Sequence, residues 1–405
     1  MTLNPLQQIR TRIDRLDEQI QALINARASC AQEIAALKIN TDAQAGEAAV
    51  ALGILNPSLR SPATLAEPLP CAAAAPGVLP HAAFVHPCTA DFYRPEREAQ
   101  VLRNVMARNT GPLNSEEMAR LFREIMSACL ALEQPMKIAF LGPEGTFTQA
   151  AALKHFGHSV TTMPHGTIGE VFRDVESRVS HYGVVPVENS TEGVVNHTLD
   201  MFMSSPLQIC GEVELRIHHN LLGKLNDIKA ITRIYTHQQS LAQCREWLAE
   251  NLSGVEHVAV SSNAEAARRA ANEVGTAAIA SVAAAQIYDL QVIVTNIEDQ
   301  PDNTTRFLVI GPQPPLPSGS DKTSLLLSTR NRPGALHHLL EPLSRHGISM
   351  TRIESRPSRR GMWDYVFFID IEGHSHEPKV AQALQELNDE AAMLKVLGSY
   401  PGAVL

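Results

Sequence analysis

After Pro5 the chain runs to Lys38 without another Pro or Gly, and apolar residues recur at Ile9, Ile13, Leu16, Ile20, Leu23 and Ile34. The early steps alternate between four and three, so the segment predicts one long helix with a single apolar seam. The seam also carries charge. At about 100° per residue, Arg27 falls in line with Ile9 and within roughly 20° of Leu16, Ile20 and Ile34, and Lys38 lies about 20° from Arg27. A buried cation without a partner is costly, so this stripe calls for a protein carboxylate or an anionic ligand. Arg10 points about 100° away. It cannot converge on the same spot from this helix, but it can reach a site in a second subunit.

Two further helices are expected in the first third of the chain. One spans Pro95 to Arg108 and stops at Thr110-Gly111-Pro112; the next starts at Asn114, with Glu117 at the third helical position, and runs to about Glu133. Glu98 lies within about 40° of Leu102 and Val105, while Cys129 and Glu133 share the face of Met118, Phe122 and Ile125. On one helix such charges read as structural ion pairs or as side chains reaching for water. On three helices together they predict a cavity lined by Arg, Lys and Glu, which suits a small dianion. Residues 40–91 differ: 14 Ala, seven Pro and five charges among 52 residues predict a flexible insert.

With 405 residues the chain has length for two or three domains. Thirty-four Lys plus Arg against 43 Asp plus Glu leave a net charge of −9, so no basic field exists to hold nucleic acid. The six cysteines are scattered without a CxxC pair or histidines at metal spacing, which argues against a disulfide framework and a metal site and fits a cytoplasmic setting. No segment reads as a signal peptide or a membrane span.

Beyond Gln134-Pro135, short β-rich runs alternate with helices: KIAFLG, GVVPV, IYTH, HVAVSS, AAIAS, VIVT and RFLVIG. This predicts an α/β domain over 136–312. Two of its strands end in turns rich in Gly and hydroxyls, Gly142-Pro143-Glu144-Gly145-Thr146-Phe147-Thr148 and Glu188-Asn189-Ser190-Thr191-Glu192-Gly193. Each turn is either ordinary capping or part of a carboxylate-binding cleft. PQPPLPSGSD reads as a linker, and 322–400 follows the order strand, helix, strand, strand, helix, strand, a small α+β unit.

FLGPEGTFT, PVENSTEG and TTRF occur here in the order found in prephenate dehydratases, and the charged helical seams resemble the all-helical chorismate mutases. Together they resemble the bifunctional P-proteins, chorismate mutase–prephenate dehydratase, over all but the insert. The GAL and ESRP segments match the ACT domain of that family. The resemblance implies three domains: an all-α chorismate mutase domain (1–134, with the insert), a two-lobed α/β dehydratase domain like the periplasmic amino-acid receptors, and an α+β ACT regulatory domain. It implies chorismate and prephenate as substrates, phenylalanine as allosteric effector, no cofactor, and a homo-oligomer of at least two chains paired through the first helix.

Residue by residue, the resemblance implies that Arg27 and Arg97 hold substrate carboxylates and that Arg10 is lent across the dimer. Lys38 donates to the breaking ether oxygen, and Glu98 accepts from the ring hydroxyl. Cys129 stands in the mutase pocket where relatives have serine, and Arg94 where some have aspartate. Glu133 stands where enteric relatives have glutamine. To donate to the ether oxygen it must be protonated, so mutase activity is expected to fall as pH rises. The insert, roughly 45 residues longer than in those relatives, costs about 1 to 2 kcal/mol of loop closure and need not abolish the site.

In the dehydratase, Thr305 resembles the catalytic threonine, with Glu188, Asn189, Ser190, Thr191, Gln239, Ser240 and Ser262 around the cleft. Phe307 packs its wall. Arg306 is either a carboxylate clamp or a structural fork to a nearby acid; His237 is an acid/base or a structural histidine. Gly334, Ala335, Leu336, Glu354, Ser355, Arg356 and Pro357 are implied to bind phenylalanine. Two rival readings are a monofunctional regulated dehydratase whose mutase the insert impairs, and a non-catalytic phenylalanine sensor. Thr305 with Arg27, Lys38 and Glu98 argues against the sensor, which needs none of them.

Overall fold

The computed structural model describes residues 4–51, 93–225, 227–329, 333–357 and 365–405. The helical region comprises α1 (Pro5–Ala51), α2 (Pro95–Arg108) and α3 (Ser115–Glu133). Helix α1 outruns its expected end by a full 13 residues, Ile39 to Ala51, so the first part of the expected flexible insert is helical. The physical reason is composition. Ala, Gln and Glu dominate 43–51, and the lone Gly46 costs about 1 kcal/mol, too little to end a helix. The remainder of the insert, 52–91, lies outside the described residues.

Helix α2 begins with Pro95 at its first position, where the missing N–H is not needed. It buries Ala99, Leu102 and Val105 along one stripe.

The next stretch contains β1 (Lys137–Leu141), α4 (Phe147–Phe156), β2 (Thr161–His165), α5 (Ile168–Glu176), β3 (Tyr182–Asn189), β4 (Gly193–Val194), α6 (Asn196–Phe202) and β5 (Gln208–Arg216). A second group follows: β6 (Asn220–Gly223), β7 (Arg233–His237), α7 (Gln238–Gln243), α8 (Arg245–Asn251), β8 (Glu256–Val260), α9 (Asn263–Ala270), β9 (Thr276–Ala280), α10 (Val282–Ile287) and β10 (Gln291–Val294). The chain then returns through β11 (Thr304–Gly311). The strands form two sheets, in the orders β2-β1-β3-β11-β5 and β10-β6-β9-β7-β8, with β4 paired to β3. Because β11 rejoins the first sheet between β3 and β5, the backbone crosses between sheets twice, near 217–219 and 295–303. These are the two lobes that the resemblance implied.

The last unit is β12 (Asp321–Ser328), α11 (Ala335–Arg345), β13 (Met350–Pro357), β14 (Tyr365–Glu372), α12 (Pro378–Glu390) and β15 (Met393–Pro401), with an antiparallel sheet ordered β13-β14-β12-β15. The expected element order holds. The linker does not keep this unit apart, however. Leu326, Val366, Phe368, Leu397 and Tyr400 share one buried cluster with Phe172, Val185, Phe202, Ile209 and Leu308 of the first lobe. Strand β15 comes so near β5 that a Cβ at Gly398 would land on the backbone of Ile209. Burying each large side chain of such a cluster is worth about 1.5–3 kcal/mol, so this is a welded junction. The linker itself is pinned, with Arg103 donating to the carbonyls of Ser318 (3.2 Å) and Ser320 (2.8 Å).

Candidate active sites

The helical seam is open along much of its length. Leu6, Ile9, Ile13, Leu16, Ile20, Leu23, Ile34 and Leu37 are all exposed, and Arg10 and Arg27 are exposed with them. The expectation that Arg27 is buried in this seam therefore does not hold among the described residues of one chain, none of which covers the amino-terminal part of α1 there. Farther along, the helix turns wetter on one side and drier on the other: Ala31 and Ala35 are buried and Lys38 is half-buried. Lys38 and Arg27 lie close enough to Glu133 to act on it by charge. Burial raises the Glu133 carboxyl above the ordinary carboxylate range, and the two cations oppose that rise without cancelling it.

Among the other expected mutase residues, Arg97 is exposed on α2 and Cys129 is buried on α3. Glu98 accepts from Arg123 Nε at 3.1 Å, and Arg123 also donates to the carbonyl of Lys154 at 2.7 Å. Arg123 was missed in the sequence, because it lies off the stripe defined by Met118, Phe122 and Ile125. Its side chain is only 9% exposed, so the pair is well shielded from water.

The cleft residues of the dehydratase are brought together as one network. Thr305 on β11 stands directly opposite Asn189 on β3. Asn189 Nδ2 donates to Thr305 Oγ1 (2.8 Å) and to Asn303 Oδ1 (2.8 Å). Asn189 Oδ1 accepts from the backbone N–H groups of Thr191 (3.0 Å) and Glu192 (3.1 Å) and from Thr191 Oγ1 (2.6 Å). Backbone N–H groups can only donate, which fixes the orientation of the Asn189 amide. Thr305 therefore accepts one bond, and its own proton remains to be donated elsewhere. A bulge in the β3–β11 pairing falls immediately after Arg306, a device that re-aims side chains beside sites.

Other expected residues have structural duties. Ser190 clasps the turn to β11: its N–H donates to Thr304 O (2.9 Å) and its Oγ accepts from Thr304 N (3.0 Å). Ser262 caps α9 by accepting from Glu265 N at 3.0 Å, and Ser240 accepts from Asn263 Nδ2 at 2.7 Å. Gln239 is half-buried beside it, while Phe307 is fully buried. His237 shows no side-chain cap bond at the start of α7. Sequence reasoning missed Gln243, Asn303 and His219 as network members. Gln243 Nε2 donates to Thr191 Oγ1 (3.0 Å), and its Oε1 faces both Asn303 Nδ2 (3.2 Å) and His219 Nε2 (2.8 Å). A Gln in a short helix and a His between strands carry no local signal.

Arg306 takes the second of its two expected roles. It points to the opposite face from Thr305 and forks to Glu212 (2.9 Å), Asp370 (2.6 Å) and the hydroxyl of Tyr400 (3.0 Å). With both acids engaged it is a joint to the last unit, and the carboxylate-clamp reading falls. Glu188, opposite Arg306 across the strands, likewise pairs outward, with Arg352 of β13 at 2.8 Å. Arg356 is engaged as well: it binds Asp200 at 3.0 Å and the carbonyl of Asn196. Gly334 opens α11 at φ +77°, a left-handed conformation that favours glycine. Ala335 is buried there, Leu336, Ser355 and Pro357 are exposed, and Glu354 is half-buried. Among the described residues no group of three His, Cys, Asp or Glu could hold a metal ion, and no helix is long and apolar enough to cross a membrane.

A helical region in which two cations act on a carboxylate, two lobes with an amide–hydroxyl network between them, and a welded βαββαβ unit make up a multidomain chain, and its likeness to known families places it in the chorismate–prephenate class of enzymes. Family models agree part by part: chorismate mutase type II over 9–134, prephenate dehydratase over 138–315 and the ACT domain over 323–389. The bifunctional chorismate mutase/prephenate dehydratase of Pseudomonas aeruginosa is 54% identical over 401 residues, covering 99% of this chain and 98% of that protein. Among solved structures, the prephenate dehydratase of Arthrobacter aurescens in complex with L-Phe is 33% identical with a TM-score of 0.61, covering 66% of this chain and 90% of its own. A structure described as GqqA, a novel type of quorum quenching acylase, is 31% identical with a TM-score of 0.62 and covers 66% and 98%. The chain belongs to the bifunctional chorismate mutase/prephenate dehydratase family. It joins an isomerase and a carbon–oxygen lyase on one polypeptide, with an ACT domain at its end.

Proposed function

We propose that the chain makes phenylpyruvate from chorismate in two steps at two sites of different construction, under feedback from phenylalanine. In the first step Arg27 and Arg97 hold the two carboxylates of chorismate, with Arg10 supplied by a second copy. The Claisen rearrangement needs no nucleophile and no proton transfer. The protein helps by fixing a compact conformer and by stabilising charge on the ether oxygen. Lys38 and a protonated Glu133 donate to that oxygen, while Glu98, held by Arg123, accepts from the ring hydroxyl. The raised carboxyl of Glu133 supports this role. The pairing of two copies is supported by nine large apolar side chains left exposed on α1 among the described residues. Each is already about half covered, so covering the rest is worth roughly half of the 1.5–3 kcal/mol of full burial, and summed over two copies this offsets the entropy of association.

In the second step prephenate loses carbon dioxide, the electron pair of that bond enters the ring, and the ring hydroxyl departs with its bonding pair, taking up a proton from solvent to leave as water. Thr305 donates a hydrogen bond to the departing oxygen. The observation that carries this reading is the bond from Asn189 Nδ2 to Thr305 Oγ1, which occupies the acceptor side of the hydroxyl and leaves the proton for the substrate. Phenylalanine binds to the segments Gly334 to Leu336 and Glu354 to Pro357, paired between two copies. Its signal has a short route, since Arg352 on β13 holds Glu188, the neighbour of Asn189, and Asp370 on β14 holds Arg306, the neighbour of Thr305. Ligand preference for one arrangement of this junction would shift the cleft between states.

The test is a time course with purified protein and chorismate, following chorismate, prephenate and phenylpyruvate with and without phenylalanine. The expected course is transient prephenate followed by phenylpyruvate, with the second phase slowed by phenylalanine. Chorismate loss that stops at prephenate, or a second phase indifferent to phenylalanine, would overturn the corresponding half.

A further inference from the structure

We propose that His219, held as the neutral Nε2–H tautomer, is a positioning residue for the dehydratase step: it anchors Gln243 and through it the hydrogen-bond chain that ends at Thr305. This rests on the reading that the Thr305 hydroxyl donates to the departing oxygen.

The direction of every bond in the chain follows from groups that can act in only one way. Asn189 Oδ1 receives two backbone N–H groups, so it is the oxygen of the amide. It can only accept, so the 2.6 Å contact with Thr191 Oγ1 uses the threonine proton. Thr191 Oγ1 must then accept from Gln243, which places the amide nitrogen of Gln243 there and turns Oε1 toward Asn303 and His219. Asn303 is consistent: its Oδ1 accepts from Asn189, and its Nδ2 donates to Gln243. The last contact, His219 Nε2 to Gln243 Oε1 at 2.8 Å, is a bond only if Nε2 carries the proton.

The ring is well placed to hold that end. His219 is 1% exposed. It lies in the first crossover between lobes, whereas Gln243 belongs to the second lobe and Thr191 to the first. Its backbone is pinned on both sides, N–H to Glu298 Oε2 at 2.9 Å and C=O from the N–H of Ile297 at 2.8 Å. Phe147 packs against the ring in a T-shaped arrangement, with centroids 5.7 Å apart. Nδ1 is buried with no hydrogen-bond partner, as suits the bare acceptor of the Nε2–H tautomer and not a second N–H. Burial also favours the neutral ring, lowering the His219 pKa against the opposing pull of the Gln243 bond and the Glu298 charge; neighbouring His218 adds to the lowering.

Removing the donor leaves Gln243 Oε1 with the longer Asn303 bond alone, so the amide that links the lobes loses its fixed place. The experiment compares His219→Leu, which has no donor, with His219→Gln, whose amide nitrogen can occupy the position of Nε2. Prephenate kinetics are read beside the thermal unfolding and the mutase rate of the same preparation, which together report an intact fold. His219→Leu is expected to lose roughly tenfold to a hundredfold in kcat with little change in KM. His219→Gln is expected to recover most of that loss. A His219→Leu enzyme within twofold of wild type, or a His219→Gln enzyme as impaired as the leucine variant, overturns the proposal. Should the leucine variant lose its mutase rate too, the decisive readout is the 15N spectrum of histidine-labelled wild-type protein. An Nε2–H ring at neutral pH upholds the assignment, and an Nδ1–H ring sinks it. Thr305→Ala distinguishes failure of the underlying reading: if that variant keeps its turnover, the threonine role is wrong whatever His219 does.

Discussion

The helical region and the two-lobed region solve the same problem, holding a small dicarboxylate, in opposite ways. In the dehydratase several polar groups singled out at the cleft are already engaged inside one chain: Asn189 with five bonds, Thr191 between Asn189 and Gln243, Arg306 with two acids. In α1 most of the apolar stripe is exposed together with Arg27, and only Lys38 at its far end is half-buried. A network satisfied within the chain is preorganised and ready for chemistry. A stripe left bare becomes dry enough for strong electrostatics only when something covers it, as the proposed second copy would.

The sharpest way to separate the two regions is at Thr305. Thr305→Ala should lower dehydratase kcat by about 10²–10³-fold, as loss of a transition-state donor does, and leave chorismate rearrangement untouched in the same preparation. Parallel loss of both rates would mean that the regions are not independent. A second break is Leu16→Glu, which sets a charge in the centre of the α1 stripe. It should cut mutase activity at least tenfold, with dehydratase turnover within about twofold, because a desolvated carboxylate costs several kcal/mol at a covered face. A mutase indifferent to this change would show that nothing covers the stripe.

The pH dependence sharpens the same contrast. A Glu133 carboxyl raised by burial donates only while protonated, so the mutase rate is full below its raised pKa and falls as pH rises through it, by about tenfold per unit once most of it is ionised. Glu133→Gln keeps a donor at all pH values and should flatten the profile. A wild-type profile as flat as that of the glutamine variant would remove Glu133 from its donor role. The smallest effect is expected at the junction. Arg352→Met should weaken phenylalanine inhibition several-fold without altering phenylalanine binding by calorimetry or the uninhibited rate. Substituting Gly334, which strains a left-handed turn, should weaken binding itself. Equal inhibition in wild type and Arg352→Met would place the coupling elsewhere.

Much of this was legible in the residues. The seam of α1, the stop at Thr110-Gly111-Pro112 and the βαββαβ order after the linker all follow from periodicity and breakers. Strands β2, β5 and β6 escaped because TTMPH contains Pro, QICGEVELR mixes Gly with charge, and NLLG is too short to show alternation. At the sites, the turn after β3 pointed to Asn189 by its local chemistry, whereas Thr305, on strand β11, was picked out only by the resemblance of TTRF to prephenate dehydratases. Gln243, His219 and Arg123 were hidden because each matters through a partner 24 or more positions away. The two readings of Arg306 could be separated only by where β11 lies against β5 and β14, a tertiary fact.

The central claim is that the mutase site is shared between two chains while the dehydratase site is not. The direct measurement is subunit complementation between Arg10→Ala and Lys38→Ala, each expected to be a poor mutase with full dehydratase activity. In a two-fold dimer, mixing and reassociating equal amounts should restore mutase activity to about a quarter of wild type, because half of the dimers then carry one intact site. Dehydratase activity should not change on mixing. Heterodimers that form, as seen by mass, yet rearrange chorismate no faster than the separate variants would contradict the account.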